Sequence, residues 1–136
     1  MRIDGQCHCG TITFEAEADP EATSLCHCGD CQAMTGTAFR TNVVVKAADF
    51  RLLSGEPSRY LKTTADSGNL RMQAFCPKCG TPVFASAPGD NPPSYTLRVG
   101  TFRQRDQFTP KVQNWFRSAR PWVTGLGALP RREKGA

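Results

Sequence analysis

No run in the 136-residue sequence approaches the ~20 apolar residues that span a bilayer. A helical membrane protein is therefore excluded, and no membrane partner is expected. The opening stretch, MRIDGQCHCG, lacks the apolar segment of a signal peptide, so a cytoplasmic location is expected. Charged residues are slightly sparse at 21%, against about a quarter in an average domain. No basic stripe interleaved with aromatics marks a nucleic-acid surface, and no internal repeat of useful length is present. An even cysteine count is also missing: the seven cysteines cannot all pair, as a secreted disulfide scaffold requires.

What is present is period-two patterning. TITFEAEA places Ile12, Phe14, Ala16 and Ala18 on one face of a strand. Thr37 to Val45, TAFRTNVVV, is β-branched and reads as a buried strand. FRLLSG, SRYLKT, LRMQAF, TPVFAS and SYTLRVGTF follow, with KVQNWF as a late, weaker candidate. Turn signals separate them at Ser54-Gly55, Ser67-Gly68, Gly89-Asp90 and Pro92-Pro93. Many short strands with Gly and Pro punctuation predict an all-β domain with little helix. The one helical turn expected lies in GDCQAMTG. The length suits a single domain, taken as residues 1–130, with RREKGA (131–136) as a basic tail.

The cysteines fall into three clusters at metal-ligand spacing. FCPKCGT is a zinc knuckle, a tight turn that aims Cys76 and Cys79 at one ion. The N-terminal QCHCG supplies Cys7 and Cys9. SLCHCGDCQAM supplies Cys26, Cys28 and Cys31. The last three are close enough in sequence to share one ion. Cys7 and Cys9 then complete a four-sulfur site with Cys76 and Cys79, and a closed site of this kind is structural. The middle cluster is one ligand short, and three protein ligands with an open fourth position is the pattern of catalytic zinc. In an extended Cys-x-Cys segment the side chains of His8 and His27 point away from the shared ion. Alternatives are a distant Asp or the other histidine closing the middle site, a different pairing of clusters, and a redox or disulfide set. Two zinc ions per chain are expected. Seven thiolates and two divalent cations would bring the formal charge of +5 to +2. The apparent pI of 9.0 is thus poor evidence for nucleic acid as a partner.

GQCHCGTITFEAEA, CHCGDCQAMTGTAF, FCPKCGTPVF and TPKVQNWFRSARPW together resemble the glutathione-dependent formaldehyde-activating enzyme family, which includes the centromere protein V domain. The resemblance runs from about Gly5 to Trp122. It implies a mostly β fold around two zinc sites, with Cys7, Cys9, Cys76 and Cys79 at the structural site. It places Cys26, Cys28 and Cys31 at the catalytic one. It also implies a carbon–sulfur lyase type of activity on a glutathione adduct of an aldehyde, such as S-hydroxymethylglutathione. One departure stands out: Gln113 occupies a position where relatives often carry histidine.

The chemistry suggested by three thiolates is soft, and suits exchange with another sulfur. Such a centre favours the thiolate of a bound thiol or polarises an aldehyde oxygen. Glutathione carries two carboxylates, which guanidinium forks recognise well. Arg40, Arg71 and Arg98 are available, but each reads first as a solvated surface charge. Trp115, Phe116 and Trp122 read first as core packing of the last strand, with a pocket wall as the alternative. TTADSGNL reads equally as an active-site loop or a plain hairpin connection. Competing classes are a zinc-scaffolded binding module and a thiol redox or metal-handling protein. The oligomeric state is left open.

Overall fold

The computed structural model describes residues 1–135. Among these, ten strands form two sheets. The smaller sheet is antiparallel and joins β1 (Arg2–Gln6), β2 (Thr13–Glu17) and β5 (Phe50–Ser54) in that order. The larger has seven strands. From one edge these are β10 (Val112–Asn114), β3 (Ser24–Cys26), β4 (Arg40–Lys46) and β9 (Ser94–Arg98). They continue through β8 (Pro82–Ser86) and β7 (Arg71–Phe75) to β6 (Ser58–Lys62). All neighbours run antiparallel except β10 and β3. The fold is mostly β with little helix, as the alternation and turn signals predicted.

The core holds the apolar faces that the two-residue period marks out. Ile12, Phe14, Ala16 and Ala18 are all buried, as are Val43, Val45 and Leu97. Phe14 packs edge-on to Phe102, and Phe50, Phe84 and Tyr95 form a three-ring cluster with centroids 4.6–5.3 Å apart. Each such side chain contributes ~1.5–3 kcal/mol by leaving water. β1 carries no alternation signal, because Ile3 is its lone apolar residue. It forms through pairing with β2 from Arg2↔Glu17 to Gln6↔Thr13, which buries Ile3 completely.

Two local features aim the cysteines. β7 and β8 shift register between Ala74 and Phe75, immediately before Cys76. Such an irregularity bends a strand and re-aims the side chains beyond it. The short helix α1 (Gly29–Thr35) starts at Cys28, whose sulfur accepts the backbone N–H of Cys31 at 3.3 Å. Seven residues are too few to hold a helix alone, so α1 depends on this cap and on its packing.

The aromatic group near the end does not pack in the core. Trp115 is 38% exposed and Trp122 54%, and Phe116 is exposed as well. The expectation of core packing fails because the last long strand pairing ends at Asn114. The chain then turns through Trp115, which has a left-handed backbone, into short 3-10 segments over Phe116–Ser118 and Pro121–Ala128.

Candidate metal centres

The ends of the first sheet's β1 and the second sheet's β7–β8 hairpin meet at the four-cysteine cluster. Cys7, Cys9, Cys76 and Cys79 place all four sulfurs within 4.8 Å of one another. The sulfurs of Cys7 and Cys9 are 3.6 Å apart, and those of Cys9 and Cys76 are 3.8 Å apart. A tetrahedron of zinc–sulfur bonds of ~2.3 Å has edges of about 3.8 Å. The donor set and its spacing therefore fit a four-coordinate zinc ion.

The two halves of this cluster are built alike. Each ends in Cys-Gly-Thr, at Cys9-Gly10-Thr11 and Cys79-Gly80-Thr81. Gly10 and Gly80 have φ of 80° and 79°, a conformation that glycine adopts without steric cost. Their N–H groups close the turns onto the carbonyls of Cys7 and Cys76 at 3.0 and 2.8 Å. The threonine hydroxyls then sit 3.1 Å from Cys9 Sγ and 3.2 Å from Cys79 Sγ. Backbone N–H groups of Ile12 and Lys78 point at Cys7 and Cys76 Sγ at 3.2 and 3.4 Å. The halves are stitched together by His8 N–H, which donates to Thr81 Oγ1 at 3.0 Å.

These hydrogen bonds act on the thiols. That from Thr81, above all, brings Cys79 down to about 5. The Thr11 hydroxyl does the same in direction for Cys9. Burial pushes Cys76 up. Cys9 and Cys79 are thus biased toward thiolate, whereas Cys76 is biased toward the thiol.

Cys26, Cys28 and Cys31 form the second group, with sulfurs also within 4.8 Å of one another. β3 delivers Cys26, the helix cap is Cys28, and the first turn of α1 carries Cys31. The Cys31 thiol beside Cys26 lowers Cys26, and Cys26 with burial raises Cys31. Among the described residues, no histidine or carboxylate joins this group.

His27 is turned away, as the Cys-x-Cys geometry requires. It is fully buried between Phe39 and Phe116, at ring distances of 5.7 and 5.4 Å. Its Nε2–H donates to Gln113 Oε1 at 2.8 Å, and its backbone N–H donates to Asn114 O at 3.0 Å. Gln32 Nε2 donates to His27 O at 2.7 Å and Ser118 O at 2.9 Å. Gln113 thus holds the corner that carries two of the cysteines, and it does not line the neighbouring cleft.

That cleft has a volume of about 570 Å³. The three cysteines line it together with Thr64, Asp66, Asn69, Arg71 and Trp115. The TTADSGNL segment is therefore both the β6–β7 connection and a cleft wall. Trp115 takes the pocket-wall role that core packing was expected to displace. Asp30 is held by Lys62 at 3.5 Å and accepts from Thr64 at 3.0 Å. Asp66 pairs with Arg117.

Sequence reasoning misplaced two arginines. Arg40 is only 4% exposed and Arg98 only 8%, so neither is a solvated surface charge. Both point from central strands, β4 and β9, onto the side of the sheet that α1 covers near Cys31. Lys62, Ser118 and the two threonines went unremarked. The repeated Cys-Gly-Thr was the signal that could have found Thr11 and Thr81.

The fold is similar to that in the crystal structure of a Rhodobacter sphaeroides protein solved as a structural-genomics target. The TM-score is 0.61 at 21% identity, over 82% of this chain and 99% of that one. No curated protein matches the chain significantly. The family described as glutathione-dependent formaldehyde-activating enzyme matches residues 2–118, a span that contains all seven cysteines and both clusters. On that match, the chain belongs to the glutathione-dependent formaldehyde-activating enzyme family.

Proposed function

We propose that the protein is a zinc-dependent carbon–sulfur lyase-type enzyme. Its substrate is a thiol adduct of an aldehyde, with S-hydroxymethylglutathione as the reference case. The carrying observation is the three-cysteine group lining a cleft of about 570 Å³, one ligand short of a tetrahedron.

Zinc bound there supplies a Lewis acid and a coordination position that a substrate sulfur or oxygen can enter. Cys26, Cys28 and Cys31 would hold it, and their three thiolates make the centre formally −1, a soft and mild acid suited to sulfur exchange. The His27–Gln113 and Gln32 hydrogen bonds keep the Cys-x-Cys corner in place. Trp115 and residues of the 64–69 loop line the cleft that the adduct would occupy. In the cleavage direction the adduct's hydroxyl proton leaves, the carbonyl forms, and the carbon–sulfur bond gives its electron pair to sulfur. Cys7, Cys9, Cys76 and Cys79 would hold a second zinc with a structural role.

The test is acceleration of formaldehyde–glutathione exchange, followed by NMR on protein shown by elemental mass spectrometry to carry two zinc ions. Acceleration lost in Cys31→Ala is the expected result. Zinc-loaded protein that accelerates no thiol–aldehyde exchange would favour a binding or redox role instead.

A further inference from the structure

Adjoining the cleft is a smaller pocket of about 140 Å³. The two share Cys31, Lys62 and Arg71, and the smaller one adds Arg40 and Arg98. Four cations therefore line one small space.

Three of them have partners. Arg98 donates Nη1 to Asn42 Oδ1 and Nη2 to Gln73 Oε1, each at 2.7 Å. Arg71 Nη2 donates to Thr96 Oγ1 at 3.2 Å, and Lys62 pairs with Asp30. Arg40 differs. Its Nε, Nη1 and Nη2 are buried and have no hydrogen-bond partner among the described residues. A buried charge without partners is strongly unfavourable. The cations also repel: burial, followed by the Arg40 charge, pulls Arg98 down to about 9. The nearby negative charge does not balance them. Asp30 supplies one, and three thiolates around a divalent ion supply one more, which leaves two positive charges uncompensated.

We propose that this cavity is a subsite for a carboxylate carried by the substrate, with Arg40 as the buried fork that grips it. A planar guanidinium with free N–H groups matches a carboxylate, and such charge-assisted pairs are among the stronger hydrogen bonds. The shared lining at Cys31 lets one short molecule reach both places. Its reacting sulfur or carbonyl lies at the cysteines while its acid group lies in the adjoining pocket beside Arg40. Formaldehyde has no such group, so the acid belongs to the thiol partner or to an acid-bearing aldehyde. The choice of probes rests on the thiol-adduct reading above. The readout is equilibrium binding, so a protein without lyase activity leaves this inference standing.

The experiment is calorimetric titration of the zinc-loaded full chain with two pairs of probes. One pair is mercaptoacetate and 2-mercaptoethanol, and the other is glyoxylate and acetaldehyde. The acid in at least one pair is expected to bind about tenfold or more tighter than its neutral counterpart. The favoured pair shows whether thiol or aldehyde brings the carboxylate. Arg40→Met is expected to erase that advantage. It should leave zinc content and 2-mercaptoethanol affinity unchanged, and it should not lower Tm, since it removes an unpaired buried charge. Should that variant fail to fold, Arg40→Lys keeps the charge without the fork and is expected to lose most of the advantage. Equal binding of acids and neutral probes overturns the inference. So does loss of zinc in Arg40→Met, which would make Arg40 the counter-charge of the thiolates. Tighter binding of inorganic phosphate than of either acid overturns the carboxylate assignment.

Discussion

The two cysteine clusters use the same ligand atom for different ends. The four-cysteine cluster joins elements about 70 residues apart in the chain, and its donors close a tetrahedron. The three-cysteine cluster is drawn from one strand, one corner and one helical turn, and it opens onto a cleft. Threonine hydroxyls and backbone N–H groups surround the first, whereas aromatic packing and a His–Gln bond brace the second. The difference is topological. On the proposed reading, ligands from distant segments hold a metal that ties the fold together, and ligands from one local segment leave a metal free to exchange partners.

Breaking the first cluster should have the largest effect. Cys76→Ala removes a buried ligand from a site whose metal can supply ~10–16 kcal/mol, comparable with the whole ~5–15 kcal/mol stability of a domain. The cooperative thermal transition, followed by circular dichroism, is expected to vanish. A variant that melts within a few degrees of the wild type would show that the cluster does not hold the fold.

Cys31→Ala is the matching change in the second cluster. It should lower zinc content from two to one and cut turnover about a hundredfold or more, on the scale that ligand-shell losses reach. Tm should move by only a few degrees. Unchanged zinc and unchanged turnover together would remove Cys31 from the catalytic assignment.

A smaller effect is expected at Gln113→Ala, which frees His27 Nε2 in a buried place. Zinc affinity at the three-cysteine site should fall about tenfold, as it does when outer-shell partners are lost. Chelator competition reads this, and the four-cysteine site should be unaffected.

The smallest effect concerns pH. The Thr81 hydroxyl favours the Cys79 thiolate, which persists as pH falls until about 5. Protons compete with metal at that sulfur only as pH drops through that value. Thr81→Val removes the hydroxyl and raises the thiol, so acid should release zinc from the first cluster at a higher pH. The shift is expected to be small, since only one of the four sulfurs loses a hydrogen bond. Metal release monitored with a colorimetric chelator during acidification checks it. No shift, or a shift downward, would show that the hydroxyl does not favour the thiolate.

By itself, the sequence determined the class of fold and the grouping of ligands. Alternation at Ile12, Phe14, Ala16 and Ala18 is a local property, since every second side chain of a strand shares a face, and all four are buried. The Cys-Pro-Lys-Cys-Gly knuckle and the tight run from Cys26 to Cys31 are local too, so ligand counting separated four sulfurs from three. Tertiary structure decided what no local pattern encodes. Ile3 enters the core only because β2 offers it a partner strand. Arg40 and Arg98 look like ordinary strand cations until α1 covers their side of the sheet. Trp115 leaves the core because the sheet ends before it, and it lines the cleft with residues of the 64–69 loop, which precede it by about 50 residues in the chain. Periodicity tells which face of a strand is apolar. Whether a charge on the other face meets water or another element depends on how the chain folds back over it.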